Sequence, residues 1–396
     1  LFLLSFSARY LRVFIGFYAY TTCKPYPVKD RPKFNTRDTT VVVPTTFKDE
    51  REITKCLECI HACSPERIII VTANANTGLV RELCRRIHIF NVEVLGVEKL
   101  NKRDQMIKAL QHVHTGIVVF ADDDVFWPDQ YLRYLLAIFE NPKAGAGGTR
   151  QRVRRNAHPN IWNLLGISYL ERRVWNNICT NAVDGSVSTL SGRTAAYRTK
   201  ILKDNDFFEY FTTDSWLGRK LNTDDDKCLT RYVYSHGWDI VIQSDPRSII
   251  QTTLEDNPKY IAQCNRWARA HWRGNFTVMT NESYWRSDRY WWGFLVIYLC
   301  QFQTPALLVD GSMMTLLSIA IQDNSGATRL ACFTAFCLWV LFTKTMKMVP
   351  HFCRHPQDLI FLPALWCFSY LHGFINIYAL CTLHNTLWGS QKLDEL

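Results

Sequence analysis

Charged side chains are scarce towards the C-terminal end of the sequence. Between residues 291 and 383 the chain is dense in Leu, Phe, Trp and Ile, whereas residues 33–290 have the charge of an ordinary soluble domain. Apolar stretches of about 20 residues are long enough to cross a bilayer. The scarcity of charge argues against a protein that is soluble throughout, and the sequence predicts a membrane protein with one large water-exposed domain.

Three other features are missing. The 14 cysteines show no paired zinc-ribbon spacing, and we find neither a recognisable nucleic-acid-binding module nor a cleavable signal peptide. The 46 Lys and Arg residues exceed the 36 Asp and Glu residues, which gives a formal net charge of +10. Because much of this excess lies beside apolar segments and not on one soluble face, we expect a lipid bilayer as partner and no nucleic acid.

Three cysteines share one face of a predicted helix. Cys56, Cys59 and Cys63 follow helical spacing. They form either a metal site together with His61 or a set of thiols packed in the core. The second interpretation is favoured, because reduced thiols are usual in a cytosolic domain.

The apolar C-terminal region contains several candidate spans. The run Trp292–Ile321 is interrupted by Pro305, so it predicts either one bent helix or two shorter segments. Leu330–Phe342 is short and needs its flanks to cross a bilayer, whereas Leu359–Leu383 is the best candidate.

The N-terminal segment has two interpretations. Leu11–Tyr20 predicts either the end of another span or an interfacial helix, because Arg9 and Arg12 are unfavourable in lipid. The first residue, Leu1, is not Met, so we expect a further N-terminal piece in the complete protein.

Basic residues follow two of the apolar segments. These are Lys24, Lys29 and Arg31 near the N-terminus, and Lys344, Lys347 and Arg354 in the C-terminal region. Basic residues that flank membrane spans mark the cytoplasmic side. We therefore expect an integral membrane protein whose large domain faces the cytosol.

The large domain alternates between strand-like and helix-like patterns. Short β-branched runs occur at Thr40–Pro44, Ile68–Val71, Val92–Leu95 and Ile117–Phe120. Helical patterns lie between them, which predicts an α/β fold with a parallel sheet covered on both faces. Ligands of such sheets bind at the carboxyl ends of the strands.

Three carboxylates follow the last of these strands. Asp122, Asp123 and Asp124 come directly after an apolar run. Crowded carboxylates repel one another unless a cation neutralises them, and Mg²⁺ or Mn²⁺ prefers carboxylate oxygens and bridges to phosphates. A solvated turn that caps the next helix is the alternative.

Three other polar motifs accompany these acids. Lys102-Arg103 opens the preceding helix, where basic side chains and a helix N-terminus attract phosphate. A second acidic cluster, Thr223–Asp226, precedes another helical pattern, for which helix capping is again the alternative. Gln263–Trp267 lies in an aromatic and basic run that also fits an interfacial amphipathic helix.

The motifs ADDD, SGRTAAYR, TDDDK and QCNRW occur in this order and are followed by candidate spans. This order resembles the processive family-2 glycosyltransferases of membranes, the hyaluronan, cellulose and chitin synthases, and most of all the fungal polysaccharide synthases. The similarity extends from about Thr39 to Ser390. It implies a GT-A-type, Rossmann-like cytosolic domain that transfers sugar from a UDP-sugar, with inversion, to a growing polysaccharide that is often exported at the plasma membrane.

The resemblance also implies roles for particular residues. Asp226 corresponds to the general base, and Asp122 and Asp124 to the pair that holds Mn²⁺ or Mg²⁺. Donor-binding positions are Pro44, Thr45, Glu50, Lys102, Asp122 and Arg266. Acceptor-side positions are Ser191, Gly192, Asp225, Gln263 and Trp267.

The sequence departs from the family pattern at three positions. Arg193 stands where the family often has Pro, Thr72 lies near where many relatives carry Asp, and Gln391 stands where relatives often have Arg. The loss at Thr72 affects a contact expected with uracil or ribose. None of these departures touches the base or the metal pair, so we expect an active enzyme.

The sequence predicts five regions. They are an N-terminal transmembrane or interfacial segment with its linker (1–32), a GT-A domain (33–255), an interfacial helix region (256–290), a transmembrane region (291–390) and a tail (391–396). Two alternatives in function stay open. One is a glycosyltransferase with a lipid acceptor, such as ceramide or a polyprenyl phosphate, and the other is a catalytically degenerate membrane scaffold.

Overall fold

The computed structural model describes residues 1–280 and 288–386. Its strands are β1 (Thr39–Pro44), β2 (Arg67–Ala73), β3 (Val92–Val97), β4 (Ile117–Ala121), β5 (Val125–Phe126), β6 (Ala144–Thr149), β7 (Gln151–Val153), β8 (Thr194–Arg198), β9 (Ser215–Trp216), β10 (Arg219–Lys220), β11 (Asp239–Gln243) and β12 (Ile250–Thr252). The strands predicted from the sequence correspond to β1 to β4.

The helices fall into two groups along the chain. The first group comprises α1 (Phe2–Thr22), α2 (Glu50–Ala62), α3 (Thr77–Arg86), α4 (Lys102–Gln111), α5 (Tyr131–Leu136), α6 (Ile161–Asp184), α7 (Thr199–Leu202), α8 (Asn205–Thr213), α9 (Asp225–Ser235) and α10 (Lys259–Met279). The second comprises α11 (Trp291–Gln303), α12 (Ala306–Ala320), α13 (Gly326–Thr345), α14 (Val349–Arg354) and α15 (Leu362–Cys381).

A seven-stranded sheet in the order β11-β6-β8-β4-β1-β2-β3 forms the centre of the α/β domain. The four predicted strands are parallel to one another, as expected, whereas β8 runs antiparallel to both β4 and β6. The chain enters β8 at the carboxyl end of β4, where Thr194 pairs with Ala121. An antiparallel neighbour needs no crossover to the opposite edge. As a result, the residues just before β8 lie beside the acids that follow β4.

The sheet is buried on both faces, as the β-branched runs predict. In β1, Val41 and Val43 belong to the core that contains Cys56 and Leu57 of α2, whereas Val42 belongs to the core on the other face. These layers fix the sheet between helices and leave its carboxyl edge for polar side chains.

The thiols of α2 are packed in the core. Cys56 donates to the carbonyl oxygen of Asp122 at 3.5 Å and Cys63 to that of Pro128 at 3.6 Å. His61 Nδ1 instead lies 3.2 Å from Oδ1 of Asn91. Burial raises the pKa of the Cys56 thiol, which keeps it protonated. The packed-thiol interpretation is confirmed.

Within residues 1–280 and 288–386, two helical segments are long and apolar enough to cross a membrane, Gly326–Arg354 and Pro356–Cys381. They contain the predicted spans around Leu330–Phe342 and Leu359–Leu383. α11 and α12 meet at an angle of 85°. The Trp292–Ile321 run therefore forms two segments, and Pro305, which has no N–H group, lies at the break.

The N-terminal helix α1 packs against this region through a basic residue. Arg9 donates to the carbonyl oxygen of Gln303 at 2.9 Å and lies 3.8 Å from Asp310, which Lys344 also contacts at 3.1 Å. Charges among apolar helices are tolerated when they pair with one another. This pairing explains how an apolar helix tolerates Arg9.

The helix α15 lies along α10 of the α/β domain. The rings of Tyr260 and Phe368 are 6.0 Å apart, and Trp272 Nε1 donates to the carbonyl oxygen of Asn376 at 3.2 Å. Asp358 before α15 pairs with Arg155 at 2.7 Å, and Thr382 after it accepts from Arg269 at 3.0 Å. Both ends of α15 therefore contact the domain.

Candidate active site

Two acidic clusters meet at the carboxyl edge of the sheet. The N–H of Asp122 donates to the carbonyl oxygen of Arg193 at 2.9 Å, which joins the end of β4 to the start of β8. A Cβ at Gly192 would lie 3.4 Å from Cβ of Asp226 and 3.5 Å from Nζ of Lys102. Gly192 thus lies where the acids after β4 approach those that open α9.

Lys102 connects the two clusters. Its Nζ lies 2.6 Å from Oδ1 of Asp122 and 3.3 Å from Oδ2 of Asp225. Burial disfavours the ammonium, but the carboxylates of Asp122 and Asp225 outweigh burial and raise the pKa of Lys102. The side chain therefore stays cationic between the two acids.

The remaining acids after β4 have fewer cationic partners. Asp123 accepts a hydrogen bond from the hydroxyl of Thr45. Burial, together with Asp122 and Asp123, raises the pKa of Asp124 to about 7. Crowded oxygen donors of this kind fit a hard divalent cation.

The acids supply only part of a coordination sphere. Among residues 1–280 and 288–386, no group of three or more His, Cys, Asp or Glu side chains is arranged to hold a metal ion. Mg²⁺ is commonly held by one or two carboxylates, with substrate phosphates and water as the other ligands. The donor set therefore fits a cation that binds together with a phosphorylated substrate.

Arg103 does not join Lys102 at this edge, contrary to expectation. It is buried and donates to the carbonyl oxygens of Phe211 and Thr223, each at 2.7 Å, and to Asp214 at 2.9 Å. The first residue of α4 therefore faces the acids, while the second anchors the loop that carries the other acidic cluster.

Asp225 and Asp226 have different environments despite being neighbours. Although burial raises the pKa of Asp225, Lys102 and Arg103 lower it overall. Burial and the charge of Asp225 raise the pKa of Asp226. Its ion pair with Arg173 of α6 is long, at 3.8 Å from Oδ2. The pair therefore holds one strongly ionised carboxylate and one more basic carboxylate.

Asp224 has a structural contact instead of a capping role. Its backbone is left-handed, with φ of 64°, and its side chain makes no capping hydrogen bond. The carboxylate accepts from Nε and Nη2 of Arg273 in α10, at 2.9 and 2.8 Å. This ion pair ties α10 to the start of α9.

α10 brings Arg266 and Trp267 to the same edge. Burial lowers the pKa of Arg266, while the acids Asp224, Asp225, Asp226 and Asp122 counteract this effect. Tyr169 stacks on Trp267 with ring centroids 4.7 Å apart, and Cζ of Arg193 lies 5.5 Å from the indole centroid. The indole is thus already in contact with two side chains before any sugar binds.

Comparison with known proteins identifies the family. Residues 36–270 match the family model described as glycosyltransferase like family 2. The chain belongs to glycosyltransferase family 2. A type 2 glycosyltransferase of Zymoseptoria tritici is 39% identical over 394 residues, which is 98% of this chain and 83% of that protein.

More distant relatives agree with the family. The hyaluronan synthase of Streptococcus pyogenes is 22% identical over 368 residues, covering 89% of this glycosyltransferase and 82% of the synthase. The solved structure of the mannosyltransferase PcManGT from Pyrobaculum calidifontis, in complex with GDP-Man and Mn²⁺, aligns with a TM-score of 0.58 and 15% identity. That alignment covers 98% of this chain and 99% of PcManGT, and it supports the GT-A-like fold.

Not every candidate donor residue of the glycosyltransferase reaches the acids. Pro44 ends β1 next to Thr45, but Glu50 forms an exposed ion pair with Arg86. Glu52 lies nearer, because the Thr253 hydroxyl is 3.2 Å from its Oε2 and 3.4 Å from Oδ2 of Asp124. Glu50 therefore pairs with Arg86 and not with these acids in the described structure, and its expected place near uridine stays a prediction.

The acceptor-side candidates are brought together only in part. Oγ of Ser191 donates to Oε1 of Gln151 at 3.0 Å, so it supports the segment that carries Gly192. Oε1 of Gln263 is buried without a hydrogen-bond partner in the described part of the chain, as is the hydroxyl of Thr72. Gln391 lies outside the described residues.

Sequence reasoning missed several residues at this edge. Arg173 and Tyr169 come from α6, for which no motif was found, and Arg193 and Glu52 were not assigned as ligands. The adjacent basic residues Arg172 and Arg173 within a largely apolar helix were the available signal. The contact of Arg173 with Asp226 was not predicted, because the two residues lie far apart in the sequence.

Proposed function

We propose that the protein is a membrane-bound, inverting glycosyltransferase that transfers a sugar from a UDP-sugar to a growing polysaccharide. The observation that carries the proposal is the position of Lys102 between Asp122 and Asp225. This contact joins an acidic group suited to donor phosphates with one suited to an acceptor hydroxyl. A scaffold would have no need for the two groups to meet.

We assign donor binding to the edge formed by β1, α4 and β4. Asp122 and Asp124 would hold Mn²⁺ or Mg²⁺, and PcManGT, which has the same fold, contains Mn²⁺ beside GDP-Man. A divalent ion there would neutralise charge on the diphosphate. Lys102 and Arg266 would add positive charge where the departing UDP becomes more negative.

We assign the general base to Asp226. Its carboxylate takes the proton of the acceptor hydroxyl while the hydroxyl oxygen forms a bond to the anomeric carbon. The bond between that carbon and the UDP oxygen breaks at the same time, and displacement from the opposite face inverts the configuration. Asp226 suits this role better than Asp225, whose charge is engaged by Lys102 at 3.3 Å.

The acceptor is proposed to be a polysaccharide, in the manner of hyaluronan synthase. The 22% identity to that enzyme over most of both chains supports this choice. We also propose that the domain boundaries expected above apply, that the polymer leaves through the apolar helices, and that the enzyme resides in the plasma membrane with its active site in the cytosol.

Purified protein in lipid nanodiscs, incubated with a panel of labelled UDP-sugars and Mn²⁺ or Mg²⁺, tests the proposal. We expect incorporation into a product that stays in the aqueous phase and grows in size on gel filtration. A product that partitions into organic solvent would indicate a lipid acceptor. No incorporation from any donor would support the scaffold alternative.

A further inference from the structure

Two main-chain hydrogen bonds fix the position of Arg193. Its carbonyl oxygen accepts from the N–H of Asp122 at 2.9 Å, and its N–H donates to Oγ of Ser191 at 3.4 Å. The residue is 8% exposed. The side chain therefore begins next to the acids that follow β4, at a position where the family often has Pro.

The guanidinium of Arg193 has no acidic partner at contact distance. Among residues 1–280 and 288–386, it forms neither a hydrogen bond through its side chain nor an ion pair with Asp or Glu, and its close contact is the indole of Trp267 at 5.5 Å. The neighbouring cation Arg173 repels this guanidinium. Asp122 and Asp124 attract it, but neither forms an ion pair with it.

A buried guanidinium without an acidic partner is unfavourable unless a ligand compensates it. Its planar set of N–H donors matches the two oxygens of a carboxylate or a phosphate. The positive charge of Arg193 is not needed to neutralise Asp122 and Asp225, because Lys102 already pairs with both carboxylates. The uncompensated positive charge of Arg193 therefore points to an anionic group on a substrate.

We propose that Arg193 is a specificity-determining residue that binds an oxyanion of the sugar-nucleotide donor. The inference rests on the proposed function. Arg193 lies between the acids assigned to the donor diphosphate and the indole assigned to the acceptor side, which is where the transferred sugar must pass. The oxyanion is then either the carboxylate of an acidic sugar or an oxygen of the diphosphate.

Two variants of Arg193 test the inference. Arg193→Gln removes the charge, and Arg193→Lys keeps it but loses the paired donors. Arg133→Gln is the matched control, because Arg133 is exposed on α5, away from the acids. Calorimetry measures binding of UDP, UDP-glucose and UDP-glucuronic acid to each protein, with chelator and with Mn²⁺. The two UDP-sugars differ only in a hydroxymethyl or carboxylate group.

We expect Arg193→Gln to weaken binding by about tenfold or more, with a smaller loss for Arg193→Lys and none for Arg133→Gln. A loss confined to UDP-glucuronic acid identifies the sugar carboxylate as the ligand. An equal loss for all three, including UDP in chelator, identifies the diphosphate. Unchanged binding of all three by both Arg193 variants would overturn the inference.

Transfer assays on the same proteins separate this inference from the proposed function. A parent enzyme that transfers sugar, together with Arg193 variants that bind every donor normally, contradicts only the role of Arg193. A parent enzyme that transfers no sugar from any donor contradicts the proposed function, whatever the binding data show. Thermal unfolding of each variant checks that a loss of binding does not reflect a loss of fold.

Discussion

At the scale of single residues, neighbours in sequence have separate tasks. Lys102 faces the acids while Arg103 binds main-chain oxygens, and Asp225 pairs with Lys102 while Asp226 does not. Residue type and order predicted which motifs belong to the site. They could not predict which member of each pair points into it, because a helix turns adjacent side chains about 100° apart.

Replacing Asp226 tests its role as base. Asp226→Asn keeps the size of the side chain but removes its ability to accept a proton, so sugar transfer should fall by about a hundredfold or more. UDP affinity should hardly change, because the carboxylate is not assigned to the diphosphate. Sugar incorporation and UDP calorimetry on this variant provide the measurement. Transfer at the parent rate would identify another base.

Replacing Asp225 shifts the pH dependence in a definite direction. Asp226 acts only when it is ionised, and burial together with the charge of Asp225 raises its pKa. Asp225→Asn removes that repulsion, so the pKa of Asp226 falls and the acidic limb of the rate profile should move to lower pH. Initial rates from pH 4 to 9, each normalised to its maximum, measure the shift. A limb that moves to higher pH would contradict the assignment.

Replacing Asp124 separates metal binding from folding. Asp124→Ala removes a half-buried, crowded carboxylate, so thermal stability in chelator should not fall, whereas the gain in UDP affinity on adding Mn²⁺ should be lost. Asp129→Ala is the control, since Asp129 is exposed in the same segment. Metal-stimulated UDP binding that persists in Asp124→Ala would show that this carboxylate is not a metal ligand.

At the scale of elements, the sequence predicts best where burial is complete. β1, β2 and β4 are continuous apolar runs, so their positions were evident. β8 was not predicted, because Thr194–Arg198 mixes small, polar and aromatic residues and its antiparallel direction depends on distant contacts. The position of Arg193 follows from β8, which is why its contact with Trp267 could not be foreseen.

Two helical glycines give a matched test of packing. A Cβ at Gly274 of α10 would lie 2.6 Å from Cδ of Lys227, whereas a Cβ at Gly78 of α3 would meet nothing within 4 Å. Gly78→Ala should stabilise the fold by about 0.5–1 kcal/mol through helix propensity. Gly274→Ala should instead destabilise it, because Lys227 must move from its acceptors Ser188 and Asn275, at 3.2 and 3.3 Å.

Thermal unfolding of both variants in the same detergent checks this prediction. The two substitutions make the same chemical change within a helix, so the difference between them isolates the contact with Lys227. A melting temperature for Gly274→Ala equal to or above that of Gly78→Ala would show that Lys227 can move away from its acceptors without destabilising the fold.

At the scale of the whole molecule, the apolar helices differ in how they contact the α/β domain. α1, α12 and α13 share a core that includes Tyr10, Met313 and Phe336. α15 contacts α13, where Nε1 of Trp366 donates to Oγ1 of Thr345 at 2.9 Å, but it also lies along α10 and contacts the α/β domain at both ends, through Asp358 and Thr382. Length and composition make both α13 and α15 candidate spans. Because both ends of α15 contact the α/β domain, we expect α13 to cross the membrane and α15 to remain on the side of the domain.

The contacts predict the sidedness of the chain. α13 has 20 residues, a length of about 30 Å that matches the hydrocarbon core of a bilayer. Just beyond its C-terminal end, Lys347 contacts Asn176 of α6 at 2.6 Å. The polar turn 322–324 before α13 should therefore reach the side of the membrane opposite the α/β domain. Residues after Cys381 should remain on the domain's side, because Asn385 accepts from Arg273 at 3.0 Å.

Epitope tags in sealed vesicles test this arrangement. A tag at the C-terminus and a tag in the linker near Lys29 should both be digested or both be protected, since each lies on the side of the α/β domain. A tag inserted at 322–324 should behave in the opposite way. Cytosolic orientation further requires that the first two be accessible in inside-out vesicles. A C-terminal tag that behaves like the 322–324 tag would mean that α15 crosses the membrane and that its contacts with α10 do not hold in the bilayer.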